Sequence, residues 1–128
     1  MIDKMIKENT LWLGYSPGDR RSVVNEEFYK NGLNPWYENY NIHNQFVQVL
    51  AELGIIGLIL YITIHLSLFL SALKEKNFLL VALLVGFTIF QMTESIIERN
   101  KGIVFFVFFL ILLQQFNTHL NENRNTRY

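Results

Sequence analysis

Residues 41–60, NIHNQFVQVLAELGIIGLIL, begin as a polar turn holding a histidine, become an amphipathic helix, and run through Gly54 and Gly57 into hydrocarbon. A chain that passes from His-Asn to a membrane span within about a dozen residues puts its polar chemistry at a bilayer surface. The sequence before this stretch reads as a water-side module and the sequence after it as membrane. Residues 54–73 carry no Asp, Glu, Lys or Arg. That run meets the roughly 20 residues needed to cross about 30 Å of hydrocarbon.

Moving downstream, His65 falls near the middle of this first span, where an ionisable group must find a partner. We expect it to be neutral and bonded to a neighbouring helix. Lys74-Glu75-Lys76-Asn77 reads as a tight turn. A second span, 78–97, is strongly apolar as far as Gln91 and then admits Glu94. Residues 98–101, ERNK, with Gly102, read as a polar hairpin in which Glu94 and Glu98 share a helix face (i, i+4) near Arg99 and Lys101. A third span, 103–116, is short, so it is tilted, locally thin or assisted by partner helices. The polar tail to Tyr128 is expected to fray. Lys74, Lys76, Arg124 and Arg127 flank one side and Arg99 and Lys101 the other, which places the turn and tail in the cytoplasm by the positive-inside rule.

Moving upstream, Ile2, Met5 and Ile6 recur at helical spacing. Gly14 and Ser16-Pro17-Gly18 break the chain. Asp19 is a candidate N-cap for a helix over 20–31, with Val24 and Phe28 as its buried stripe and Gly32 closing it. Arg20 and Arg21 stand in its first turn, where cations oppose the helix dipole. They read either as a solvated surface pair or as a phosphate-attracting corner. The loop LNPWYENYNI carries Trp36, Tyr37 and Tyr40, residues suited to the headgroup level or to stacking on a sugar.

The helix after this loop is predicted to start with Asn41 as N-cap. Asn44, Gln45, Gln48 and Glu52 then cluster on one face, while His43 falls with Val47 and Leu50 and points inward. In the first turn the dipole disfavours imidazolium. A neutral imidazole suits a general base, yet a lone histidine there also reads as a hydrogen-bonded packing residue.

The chain has 128 residues, 51% of them hydrophobic, 11 Phe, no cysteine and a formal net charge of zero. That length allows one domain at most. The charge balance offers no field toward nucleic acid. Without cysteine there is no disulfide or thiol chemistry. Three histidines at three membrane depths make no metal cluster. Walker, dinucleotide and nucleophile-elbow patterns are missing. The N-terminus MIDKMIKENT lacks the apolar core of a signal peptide, so we expect further spans upstream to carry the first fifty residues outward. What survives is one outward-facing set: Arg20, Arg21, His43, Glu52, Glu94, Glu98, Arg99 and Lys101.

These residues bring a family into view. NIHNQFVQVLAELGIIG resembles the His-Asn-x-x-x-Gln-x-x-x-Glu-x-Gly-x-x-Gly signature of the bacterial O-antigen ligase and O-antigen polymerase superfamily. IKENTLWLGYSPGD is similar to the glycine-rich segment late in that family's periplasmic loop, with Tyr15-Ser16-Pro17 where glycine is commoner. TESIIERNKGIVFFVFF is similar to its final hairpin and span. The resemblance covers about residues 6–113. It implies a metal-independent glycosyltransferase of the GT-C type, using no cofactor, that transfers glycan from an undecaprenyl-pyrophosphate carrier to lipid A-core or to another glycan. It also implies that His43 is the periplasmic base on the acceptor hydroxyl. The family's pyrophosphate-binding arginines lie upstream of the equivalent of Met1, so Arg20 and Arg21 are substrate-binding candidates by charge, with Asn44, Glu94 and Arg99 beside them.

The resulting expectation is an all-α integral membrane protein of the bacterial inner membrane. Residues 1–53 form a mostly helical periplasmic segment and residues 54–128 about three spans with a short cytoplasmic tail. As the C-terminal part of such an enzyme it would be inactive alone, because three spans cannot enclose a groove for a polyprenyl pyrophosphate. Spans supplied by another chain would complete it. The competing expectation is a small three-span structural or binding membrane protein.

Overall fold

The computed structural model of the chain describes residues 1–32 and 42–125. The readings placed on Trp36, Tyr37, Tyr40, Asn41 and Arg127 lie outside the described residues. In chain order the elements are α1 (Ile2–Lys7), α2 (Ser16–Lys30), α3 (Gln45–Lys74), α4 (Phe78–Thr93), a 3-10 turn (Ile96–Glu98) and α5 (Asn100–Asn125). The protein is all-helical, with no strand among the described residues. Two helices, α3 and the 100–119 part of α5, are long and apolar enough to cross a membrane, while α4 is apolar but shorter. Ala72, Leu80, Leu84, Phe87 and Phe106 form the buried cluster joining α3, α4 and α5.

The stretch read as helix-then-span is interrupted at Gly54, whose φ of 66° and ψ of −167° are not helical. On a straight helix Phe46 and Tyr61 would lie about 22 Å apart. Their ring centroids are instead 5.8 Å apart, edge to face, so the chain doubles back at Gly54 and residues 45–53 lie along residues 55–62.

Such a break orphans backbone groups, which must find partners. Residues 10–15 supply them. Ile55 N–H donates to the Leu11 carbonyl (2.9 Å) and Ile56 N–H to that of Trp12 (3.4 Å), while the Ala51 carbonyl accepts from Tyr15 N–H (2.8 Å). The two backbones come so close that only glycine fits at the crossings. A Cβ on Gly54 would lie 2.3 Å from the Trp12 carbonyl oxygen, and one on Gly14 would lie 2.4 Å from the Glu52 carbonyl carbon and oxygen. Gly54 is thus a hinge point held by the segment around Gly14.

At the other end, Lys74–Asn77 is the expected tight turn. Lys76 takes φ 56°, and Asn77 N–H returns to the Ala72 carbonyl (2.9 Å). The Asn77 Oδ1 caps Leu80 N–H (3.1 Å) and its amide donates to the Leu113 carbonyl (2.9 Å), tying the turn to α5. From this turn, residues 55–74 rise about 30 Å and α4 only about 24 Å. The folded-back segment 45–53 sits at the outer ends of the shorter helices.

His65 bonds as expected. Its Nδ1 donates to the Tyr61 carbonyl (3.0 Å), and its Nε2 accepts from the amide of the fully buried Gln91 on α4 (3.1 Å). The imidazole also stacks in line with Phe106 at 6.3 Å. Thr63, Ser67 and Thr88 turn their hydroxyls onto carbonyls of their own helices, which satisfies these three donors along an apolar surface.

Three boundaries differ from expectation. First, α2 starts a turn early, at Ser16, because Ser16 Oγ and Asp19 cap each other: Asp19 N–H donates to Ser16 Oγ (3.4 Å), and that hydroxyl donates to Asp19 Oδ2 (3.2 Å). Gly32 does close this helix, at φ 68°. Second, α4 ends at Thr93 instead of 97, with Glu94 extended at φ −147° and ψ 148°. Glu94 and Glu98 are therefore not an i, i+4 pair on one helix. Third, α5 continues through the expected frayed tail to Asn125.

Candidate functional site

Asn44, not Asn41, starts the helix that carries the histidine. Its Oδ1 accepts from Phe46 N–H (3.0 Å) and Val47 N–H (3.1 Å), a standard N-cap. His43 therefore precedes the first turn and is 46% exposed. The inward-facing, dipole-influenced position expected for it is not the one it occupies.

The cap residue also reaches across the molecule, its amide donating to the Met92 carbonyl at the end of α4 (3.1 Å). Two further bonds fasten the same junction. Ser95 Oγ donates to the Ile42 carbonyl, and Ile97 N–H donates to Gln45 Oε1 (2.9 Å). Within this frame His43 Nδ1 stands 3.3 Å from Glu94 Oε2, the carboxylate being 43% exposed. An imidazole with a carboxylate on Nδ1 is held in one tautomer and orientation, which assigns proton transfer to Nε2. Glu94 also borders a cleft of about 400 Å³ lined by Phe90, Ile96, Arg99, Lys101 and Gly102. One histidine, one carboxylate and two cations thus gather where α3 begins, α4 ends and α5 begins.

Arg20 does not belong to this group. It is 2% exposed, and its Nε meets Glu52 Oε1 at 2.7 Å. Gln48 donates its amide to the same carboxylate oxygen (3.2 Å). Glu52 lies two turns beyond Asn44, about 12 Å along the helix, so this pair marks the opposite end of the folded-back segment. The buried Arg20 guanidinium needs such a partner, since removal of the carboxylate leaves an uncompensated charge. Arg20 and Glu52 are thus not outward-facing, whereas Arg21, next on α2, is exposed.

The helix 45–53 buries two glutamines together with Val49 and Ala51. Gln45 and Gln48 are buried while Val47 and Leu53 are exposed. Of the residues that build the junction, sequence reasoning had singled out His43, Asn44, Glu94, Arg99 and Lys101. It missed Ser95, and it placed Gln45 only on a polar helix face; a serine and a glutamine flanking apolar residues give no local signal of bonds to residues some fifty positions away. Among the described residues no three His, Asp or Glu side chains converge as a metal-ligand group. Comparison with protein-family models, with curated proteins and with solved structures finds no match to this chain.

Proposed function

We propose that the chain works as the C-terminal part of a membrane glycosyltransferase of the O-antigen ligase and polymerase type. His43 is its base, at the periplasmic side of the bacterial inner membrane. The observation that carries this reading is the His43–Glu94 pair, fixed at 3.3 Å by bonds from three elements. The resemblance of residues 41–57 to the family signature and the exposed apolar surfaces of α3, α4 and α5 support it.

In the proposed reaction Nε2 of His43 takes the proton of an acceptor hydroxyl as that oxygen bonds to the anomeric carbon of the carried glycan. The bond from that carbon to pyrophosphate breaks, and its electron pair leaves on the phosphate oxygen. Glu94 stabilises the imidazolium that forms. Arg99 and Lys101, in the adjoining cleft, face the leaving phosphate's charge. Helices of further spans, covering the apolar faces of α4 and α5, close the groove for the prenyl chain.

The test is His43→Ala in the complete ligase or polymerase, scored by glycan transferred to the cell surface. Loss of at least about 100-fold is expected, the usual contribution of a positioned general base. Glu94→Gln, which keeps the shape, should lose less and should shift the pH profile of transfer. Undiminished transfer by His43→Ala would remove the base assignment.

A further inference from the structure

The geometry points to residues 11–13 as a wedge that rests in the headgroup layer of the bilayer, although they precede the first span by forty residues. This inference depends on the reading of α3 as a membrane span, and concerns a part of the chain that the sequence places in water.

Three observations carry it. The segment is bonded through its backbone to the outer turn of residues 55–74: the Leu11 and Trp12 carbonyls accept from Ile55 and Ile56 N–H. Wherever that turn lies relative to the bilayer, Trp12 lies at the same depth. The turn opens a stretch about 30 Å long that ends at the Lys74–Asn77 turn, the thickness of the hydrocarbon layer, so its first residues fall at the boundary.

The outward side chains here are apolar. Trp12 is 59% and Leu13 74% exposed, and Leu53, Ile56, Ile59 and Leu60 on the adjoining turns of the span are exposed too. Water would meet a contiguous apolar patch that a free surface rarely carries, whereas a tryptophan at this depth satisfies both its ring and its N–H.

No charge opposes immersion. Residues 10–18, TLWLGYSPG, contain no ionisable acid or base that is charged at neutral pH. The nearest charges toward the interior, buried Arg20 and partly buried Glu52, neutralise each other at 2.7 Å. The occupant is accordingly lipid, at the junction of headgroups and acyl chains, rather than water.

The test uses the full chain in phosphatidylcholine vesicles. Trp36→Phe leaves Trp12 as the single tryptophan, and a second protein, with both tryptophans replaced and Leu66→Trp, reports the middle of the span. Lipids brominated near the glycerol end should quench Trp12 at least twofold more than lipids brominated near the chain ends. Leu66→Trp should show the reverse order. Quenching of Trp12 by aqueous iodide as efficient as for free tryptophan, with the mid-span reporter still lipid-quenched, would overturn the wedge and leave the span. Protection of Trp12 from both iodide and bromolipid would also overturn it, by showing protein as the occupant. Failure of both reporters to respond to bromolipid would overturn the wedge together with the span.

Discussion

The two ends of the α3–α4–α5 unit are closed in different ways. The Lys74–Asn77 end is closed mostly by neighbours in sequence: a left-handed Lys76, a return bond from Asn77 to Ala72 and a cap on Leu80. The end at Glu94–Gly102 is closed by residues about fifty positions apart, through Asn44 to Met92, Ser95 to Ile42 and Ile97 to Gln45. One end turns the chain around, and its ionisable side chains are exposed. The other brings a histidine and a carboxylate together at half exposure beside two cations. A turn can be built from local propensity, whereas a site needs distant parts held in mutual register.

The comparison can be broken most forcefully at the hinge that lets the outer end exist. Gly54→Val combines a positive φ with a Cβ driven into the Trp12 carbonyl. It should cost more than about 3 kcal/mol, seen as a collapse of the unfolding midpoint in a denaturing-detergent titration. A midpoint within error of the parent would refute the interlock.

Substituting at each end in turn sharpens the contrast. Asn77→Ala removes a cap and the bond to Leu113, and should lower stability by about 1–2 kcal/mol while leaving unchanged the specific rate of the proposed glycan transfer. Ser95→Ala removes one bond, about 1 kcal/mol, yet should reduce that rate several-fold because it loosens the frame around His43. Equal effects of the two on rate would erase the distinction.

The smallest effect concerns the exposed clip between α1 and α2. Glu26 bonds Lys30 at 2.9 Å and also pairs with Lys4. The Lys30 hydrogen bond first, then that of Lys4, pulls the Glu26 carboxyl down to about 2. Lys4 is raised in turn, chiefly by its bond to Glu26. With the folded value depressed, the pair's contribution is present above the ordinary carboxylate range near about 4.3 and is lost as pH falls through about 2. Carboxyl chemical shifts should show Glu26 titrating below other exposed glutamates. A midpoint near 4 would mean the clip is absent in solution.

Much of the helical layout was legible in the sequence, because it follows from local rules. The apolar run after Gly54, the turn at Lys74–Asn77, the Gly32 stop and the need of His65 for a partner all came from periodicity and composition. What stayed hidden depended on bonds between distant segments. Gly54 inside an apolar run reads as a contact glycine unless residues 11–15 are known to supply its neighbours' missing carbonyls. Asn41 is the cap expected from the sequence, and the choice of Asn44 instead goes with its amide reaching the Met92 carbonyl 48 positions away. Arg20 contradicts the dipole of its own helix, and only Glu52 explains why it is there. The pair at the candidate site was half legible: both residues had been singled out, but Glu94 had been assigned to a helix face shared with Glu98.

The bond between His65 and Gln91 has a consequence for alignment. Sliding α4 by one residue along α3 would raise it by about 1.5 Å and rotate Gln91 by about 100°, leaving the imidazole without its donor in apolar surroundings. That single contact acts as a detent, permitting one height of α4 and disfavouring its neighbours. Glu94 follows Gln91 by less than one turn, so the same notch sets how high the carboxylate stands when His43 arrives beside it.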